Sequence, residues 1–231
     1  MASDVIDRRG EPHLKRIMRF GRVEPNLDLI PFCRTAIVPL KKLPHEGWSA
    51  TIVCGPYTIT MLQVPPSLTD LSIHGDHILL VVPLGQEAGL SVNGNDLAPV
   101  HLPVVGNGGT LMMRNETPQQ LAIIAFERTL HDPRFAESDG SNRTEMRIVD
   151  PARLKMLRTL LQQTFRHITT DEFGSAGARI AAQAQTGNWL DEMFPALLNP
   201  LYRRVFSAPH SVQLMQRIDE YIEAHRGEAI Y

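Results

Sequence analysis

Short apolar and β-branched segments recur at regular intervals through the first half of the chain, between about residues 26 and 128. Several are separated by residues that favour tight turns, namely Gly55-Pro56, Asn93-Gly94 and the triplet at 74–76. The spacing predicts strands with no helix among them, at 34–40, 48–54, 57–64, 67–73, 78–84, 90–93, 97–105, 110–114 and 120–126. Such a series is typical of an antiparallel sandwich or barrel.

The period of the apolar positions changes after a polar linker predicted at 127–144. Asp150 before Pro151 predicts a helix start, because aspartate caps free N–H groups and proline suits the first turn. This first helix carries an apolar stripe of Leu154, Leu157, Leu160, Leu161 and Ile168. A second helix at about 175–198 is expected to kink or break at Gly187 and Pro195. Its predicted apolar side consists of Ile180, Ala184, Trp189, Met193 and Leu197.

A third amphipathic helix is predicted within 207–231, with a stop signal at Arg226-Gly227. One face of this helix holds Val212, Met215, Ile218, Tyr221 and Ile222. The pattern of Ile218, Tyr221, Ile222, His225 and Ile230 resembles the first helix of the DNA-binding domain in AraC-type transcription regulators. We therefore interpret the chain as the sensor part of such a regulator, cut one helix into its DNA-binding domain.

The order of the elements, the apolar run at 78–84 and the turn at 90–94 resemble the same family. The resemblance implies an α+β chain with a cupin-like antiparallel β-barrel at 1–130 that binds a small-molecule effector. It further implies a helical linker and dimerisation region at 150–206, and a truncated helix-turn-helix domain at 207–231. Within the family the chain most resembles the branch that includes regulators of ethanolamine operons.

Charge and cysteine content narrow the class of protein. The formal net charge is -2, and the 23 lysines and arginines are scattered rather than clustered. Since nucleic-acid binders use a basic surplus to neutralise phosphates, we expect DNA contact only through the missing C-terminal part of a longer parent. Cys33 and Cys54 are expected to be reduced, buried thiols, and the alternative is a regulatory disulfide between them. No membrane span or secretion signal is recognisable, so the cytoplasm is the expected location.

Because cupin-shaped domains include metal enzymes, the histidines need consideration. His74 and His77 are three residues apart, so on a strand they would point to opposite faces. Asp76 and His101 could join them as further ligands, but a solvent-exposed loop is the preferred interpretation. We predict no metal, no cofactor and no catalytic residue. The alternatives are a metal-dependent cupin oxygenase or isomerase, and an interaction domain without a ligand.

Two groups of residues are candidates for binding. For the effector, the family resemblance suggests a pocket inside the barrel, and the candidates on the first strands are Phe32, Arg34, Trp48, Tyr57 and Met61. Each could instead be a core or surface residue. For a homodimer, a heptad-like seam is formed by Leu154, Leu157, Leu161 and Ile168. The alternative for this seam is packing onto the barrel or the next helix within one chain.

Overall fold

The computed structural model describes residues 13–20, 24–40, 45–85, 89–106, 108–130, 144–169, 176–197 and 203–206. Two antiparallel sheets and two helices make up this part of the chain. The strands are β1 His13–Phe20, β2 Glu24–Ile30, β3 Cys33–Pro39, β4 His45–Cys54, β5 Tyr57–Val64, β6 Ser67–Ile73, β7 His77–Pro83, β8 Leu90–Val92, β9 Asn95–Asp96, β10 His101–Val105, β11 Thr110–Asn115, β12 Gln119–Glu127, β13 Thr144–Ile148 and β14 Arg203–Phe206. The helices are α1 Pro151–Thr169 and α2 Ala176–Leu197.

The strands form a large and a small sheet. The large sheet has eight strands in the order β1-β4-β5-β12-β7-β10-β13-β14, and the small sheet has six in the order β2-β3-β6-β11-β8-β9. The α+β class agrees with the prediction. The cupin-like barrel stays a prediction, since the described strands form two hydrogen-bonded sheets and no continuous ring is seen among them.

The predicted strand positions are largely confirmed. At the hairpin between β8 and β9, Asn93 and Gly94 have φ angles of 48° and 77°, as a type I′ turn requires. The predicted strand at 97–105 begins only at His101. Five of the described strands were not predicted, namely β1, β2, β9, β13 and β14. Four of these, β1, β2, β9 and β14, lie at sheet edges, where one missing neighbour weakens the apolar pattern.

Two apolar clusters divide the molecule into three layers. One cluster lies between the sheets and contains Leu79 and Val81 from β7, whereas Ile78, Leu80 and Val82 of the same strand belong to the second. The second cluster lies between the large sheet and the two helices. Strand β7 is therefore buried on both faces, as its uninterrupted apolar run predicts. We call the side of the large sheet that meets α1 and α2 its helix face.

Helix α1 begins as predicted, because the Asp150 carboxylate accepts a hydrogen bond from the backbone N–H of Arg153 at 3.0 Å. Helix α2 runs without interruption across Gly187 and Pro195, so the expected break is wrong and the alternative, a kink, stays a prediction. Its predicted apolar side agrees in part, because Leu197 is buried and Met193 packs against the cluster beneath the helices, whereas Ile180 is 65% exposed. The residues that α2 buries are Thr186, Gly187, Leu190, Phe194 and Leu197.

The two remaining predictions concern the C-terminal helix and the absence of a membrane span. The third predicted helix, at 207–231, lies outside the described residues. Neither described helix is long and apolar enough to cross a membrane.

Candidate ligand-binding site

The structure brings three of the five predicted effector residues together and places the other two elsewhere. Arg34 is exposed on β3 of the small sheet. Phe32, with a φ of 65°, is 41% exposed in the turn between β2 and β3. Its ring stacks on the imidazole of His77, with 3.8 Å between the ring centroids. Neither Arg34 nor Phe32 belongs to the apolar cluster between the large sheet and the helices. The other three candidates lie there: Tyr57 and Met61 belong to the cluster, and Trp48 packs against it.

Tyr57 is a core residue rather than a residue of an open pocket. It is fully buried, and its hydroxyl donates a hydrogen bond to the carboxylate of Asp191 on α2. Its ring meets those of Phe126 and Phe194 edge-on. Burial, assisted by the nearby Asp191 carboxylate, raises the pKa of the phenol above its ordinary value of 10.0. Tyr57 therefore joins α2 to the large sheet.

Trp48 and Met61 do line a cavity, but not the one that was predicted. Both belong to the cluster between the large sheet and the helices, so they point away from the space between the sheets. A cavity of about 590 Å³ lies there, lined by Trp48, Met61, Gln120, Thr159, Gln162, Gln163, Phe165 and Arg166. Its volume is within the usual range of small-molecule sites. We call it the sheet–helix cavity.

The strand register explains why space is left at this place. On the helix face, Ile52, Ile59 and Ile124 lie side by side on three neighbouring strands and fill their row with branched side chains. In the next row, Met61 is paired with Ala50 on one side and Ala122 on the other. Two alanines beside one flexible methionine fill far less volume than three isoleucines. Less side-chain volume therefore projects from the sheet beneath the second half of α1, and this leaves room for the cavity.

Polar contacts hold α1 over this floor. The side-chain amide of Gln162 donates to the backbone carbonyl of Leu84 at 3.0 Å, and the guanidinium of Arg158 donates to that of Pro83 at 2.8 Å. Burial lowers the pKa of Arg158. On the opposite wall, the indole N–H of Trp48 donates to the side-chain oxygen of Gln63. The cavity thus has one wall on the sheet and one on a helix anchored to the end of β7.

Sequence reasoning missed the six lining residues other than Trp48 and Met61. Thr159, Gln162, Gln163 and Arg166 share one side of α1 beside the leucine stripe, because Gln162 and Gln163 lie three and four residues after Thr159 and four and three before Arg166. That signal was visible, but a polar stripe on an amphipathic helix normally indicates contact with solvent, and these four residues are indeed exposed as well as lining the cavity. Only the position of the helix over the sheet makes it a cavity wall.

The leucine stripe proposed for dimerisation lies inside the chain. Leu154, Leu157 and Leu161 are each 0% exposed and belong to the cluster beneath the helices. The side chain of Ile168 lies outside the described residues. The structure therefore favours the alternative for this stripe, packing within one chain, because fully buried side chains have no surface left for a second copy.

The remaining candidates of chemical interest are dispersed. His74 is exposed in the turn before β7, and the imidazole of His101 accepts a hydrogen bond from the backbone N–H of Ala98 at 3.2 Å. Among the described residues, no group of three or more histidine, cysteine, aspartate or glutamate side chains could hold a metal ion. Cys33 and Cys54 are both free and buried, and they lie in different apolar clusters. Burial raises the pKa of each thiol to about 12.

Comparisons with known proteins give limited results. No family model and no curated protein matches the chain. Among solved structures, the chain is similar to the crystal structure of the AraC-like transcriptional activator CuxR, with a TM-score of 0.49 and 11% sequence identity. The match covers 85% of this chain and 72% of that one.

Proposed function

We propose that the chain is the effector-sensing and dimerising region of an AraC-type transcription regulator. The arrangement of its elements supports this proposal: antiparallel sheets come first, two helices follow, and the segment with the Ile218, Tyr221 and Ile222 pattern comes last. The motifs in the sequence resemble that family in the same order. Under this proposal the DNA contacts belong to the C-terminal part of a longer regulator.

The observation that carries the proposal is the path of the chain from sheet to helices and back. Strand β13 ends at Ile148, α1 starts at Pro151, and after α2 the chain returns as β14 to pair with β13. Residues 207–231 follow β14 directly. A ligand that changes how the helices pack on the large sheet therefore acts on the same packed unit from which the DNA-binding segment departs.

Dimerisation is part of the same proposal but needs a surface other than the leucine stripe. Two linked DNA-binding modules raise each other's effective concentration on paired half-sites, which gives a dimer its advantage. The metal-dependent enzyme has no comparable support, because no group of three or more histidine, cysteine, aspartate or glutamate side chains in the described part of the chain could hold a metal ion.

A reporter fusion tests the proposal. The full chain is joined to a monomeric DNA-binding domain that represses a promoter only when it is brought together as a dimer. We expect repression by the fusion, and a change in repression when a small molecule that binds the chain is added. A fusion that folds but never represses contradicts dimerisation. Repression that no bound molecule alters contradicts effector sensing and favours a pure interaction domain.

A further inference from the structure

The sheet–helix cavity offers a ligand one accessible aromatic surface, the indole of Trp48. Met61 and Phe165 also line the cavity, but each is only 3% exposed, so the core takes up nearly all of their surface. Trp48 is partly exposed, because it packs against the cluster beneath the helices and also lines the cavity. Its indole N–H already donates to Gln63. A ligand therefore meets the face of the indole, which favours stacking by a flat ring.

The cavity wall also presents uncharged groups that form hydrogen bonds. These belong to Gln120, Thr159, Gln162 and Gln163. The amide nitrogen of Gln162 donates to the carbonyl of Leu84 at 3.0 Å, and that of Gln120 lies 3.7 Å from the sulfur of Met61. Both glutamines keep their side-chain oxygen as an acceptor for a ligand. Arg166 takes part in another interaction within the chain, so we give it no role in binding.

Gln163 is the residue best placed to recognise the edge of a ring. It is exposed on α1, it lines the cavity, and no hydrogen bond to another described residue occupies its amide. A glutamine amide holds a donor and an acceptor side by side, which match the amino group and the neighbouring ring nitrogen of adenine. Proteins bind unpaired nucleobases by combining this pairing with stacking on an aromatic side chain. Trp48 and Gln163 supply both contacts in one cavity.

We propose that the sheet–helix cavity binds an uncharged adenine nucleoside. The base stacks on Trp48 and its amino edge pairs with Gln163, while the side-chain oxygens of Gln120 and Gln162 accept hydrogen bonds from the ribose hydroxyls. Trp48 and Gln120 are both paired with Gln63, one on each side, so they lie two strand spacings apart, about 10 Å. A nucleoside is long enough to reach from one to the other.

This inference deepens the proposed function, on which its regulatory meaning rests, by placing the effector between the large sheet and α1. Gln162 both lines the cavity and donates to Leu84, so the ligand contacts a residue that anchors α1 beside the end of β7. Binding therefore stabilises the form in which α1 is seated on the sheet, by an amount set by the ligand's affinity for that form.

Calorimetric titration of the full chain with adenosine tests the inference. We expect adenosine to bind, and purine riboside, which lacks the amino group, to bind about tenfold more weakly. Adenosine monophosphate should bind no more tightly than adenosine, since the assigned contacts are uncharged. Trp48 and Trp189 are the two tryptophans of the chain. In a Trp189→Phe variant the fluorescence comes from Trp48 alone, and adenosine should quench it because the base stacks on the indole.

Two variants test the assigned contacts, after urea denaturation has shown that each is folded. Gln163→Met keeps the length of the side chain and removes its amide, so adenosine should bind about tenfold more weakly while purine riboside binds nearly as before. Gln185→Met, at an exposed position on α2 outside the cavity, should change neither affinity. Trp48→Leu should abolish binding of both nucleosides, whereas Trp48→Phe keeps a ring and should retain part of it.

Three results overturn the inference. The first is no binding of adenosine at millimolar concentration, and the second is an equal loss of both nucleosides in Gln163→Met. The third is much tighter binding of adenosine monophosphate, which would make a nucleotide the ligand. The reporter fusion is read separately: if its repression responds to another molecule, the proposed function stands although the cavity assignment fails.

Discussion

Gly187 of α2 lies directly against the backbone carbonyl of Cys54 at the end of β4. A Cβ atom at this position would come within 2.8 Å of that carbonyl oxygen, closer than such contacts occur. The glycine therefore marks a close approach of the helix to the turn between β4 and β5. Because the opposing atom belongs to the backbone, it cannot move aside as a flexible side chain would.

Replacing Gly187 with alanine should destabilise the protein although alanine is the better helix former. The propensity gain is about 1 kcal/mol, but the clash forces α2 away from the sheet, and overpacking of this kind costs about 1–3 kcal/mol. We expect a net loss in the free energy of unfolding, measured by urea denaturation. Gly177→Ala, at an exposed position in the first turn of α2, should show only the gain. Equal stabilisation by both substitutions would contradict the close approach.

Tyr57→Phe should weaken the attachment of α2 to the large sheet. The substitution keeps the buried ring and removes the hydroxyl that donates to Asp191, so we expect a loss of about 1–2 kcal/mol in the free energy of unfolding. Asp191→Ala removes the acceptor of the same hydrogen bond and should also lower the free energy of unfolding. Both changes in one protein should cost less than the sum of the single changes, because the two residues share one hydrogen bond. Full additivity would show that the bond contributes nothing.

Leu157→Ala separates the two interpretations of the leucine stripe. Since Leu157 is fully buried within the chain, its truncation should reduce the free energy of unfolding by about 2–5 kcal/mol. Native mass spectrometry of the folded variant should show the same number of chains per assembly as the unchanged protein. Met156→Ala, next to it and 50% exposed, should have little effect on stability. A stable Leu157→Ala protein that loses its partner would restore the stripe as a dimer seam.

The buried thiols make stability depend on alkaline pH. Burial raises the pKa of Cys33 and Cys54 from 9.0 to about 12, so the folded chain keeps protons that the unfolded chain releases. Their contribution is fully present below pH 9 and is lost as the pH rises from 9 towards 12. Each thiol should account for about 1 kcal/mol of the stability lost between pH 7 and pH 10.

Urea denaturation at both pH values measures this effect. Cys54→Ala should reduce the difference between pH 7 and pH 10 by about the share of one thiol. In the folded protein, neither cysteine should react with iodoacetamide at pH 8, whereas both should react in urea. Rapid labelling of either thiol under native conditions would show that it is not buried as described.

Local features of the sequence correctly predicted most of the secondary structure. The turn at Asn93-Gly94, the apolar run that became β7 and the Asp150 cap of α1 are all decided by residues a few positions apart. Their physical basis is backbone geometry and short-range hydrogen bonding, which neighbours along the chain specify. The strand at β13 escaped prediction because its alternation is short and its two partners, β10 and β14, lie far away in sequence.

The sequence by itself thus determined the α+β class, the positions of most strands and the start of α1. Only the tertiary structure decided in which of the two apolar clusters each face of a strand or helix is buried. Trp48, Tyr57 and Met61 turn towards the helices and not between the sheets, Leu157 packs within its own chain, and Gly187 closes against Cys54. The physical reason is that burial depends on what covers a side chain, and here the covering residues are up to 134 positions away, as between Tyr57 and Asp191.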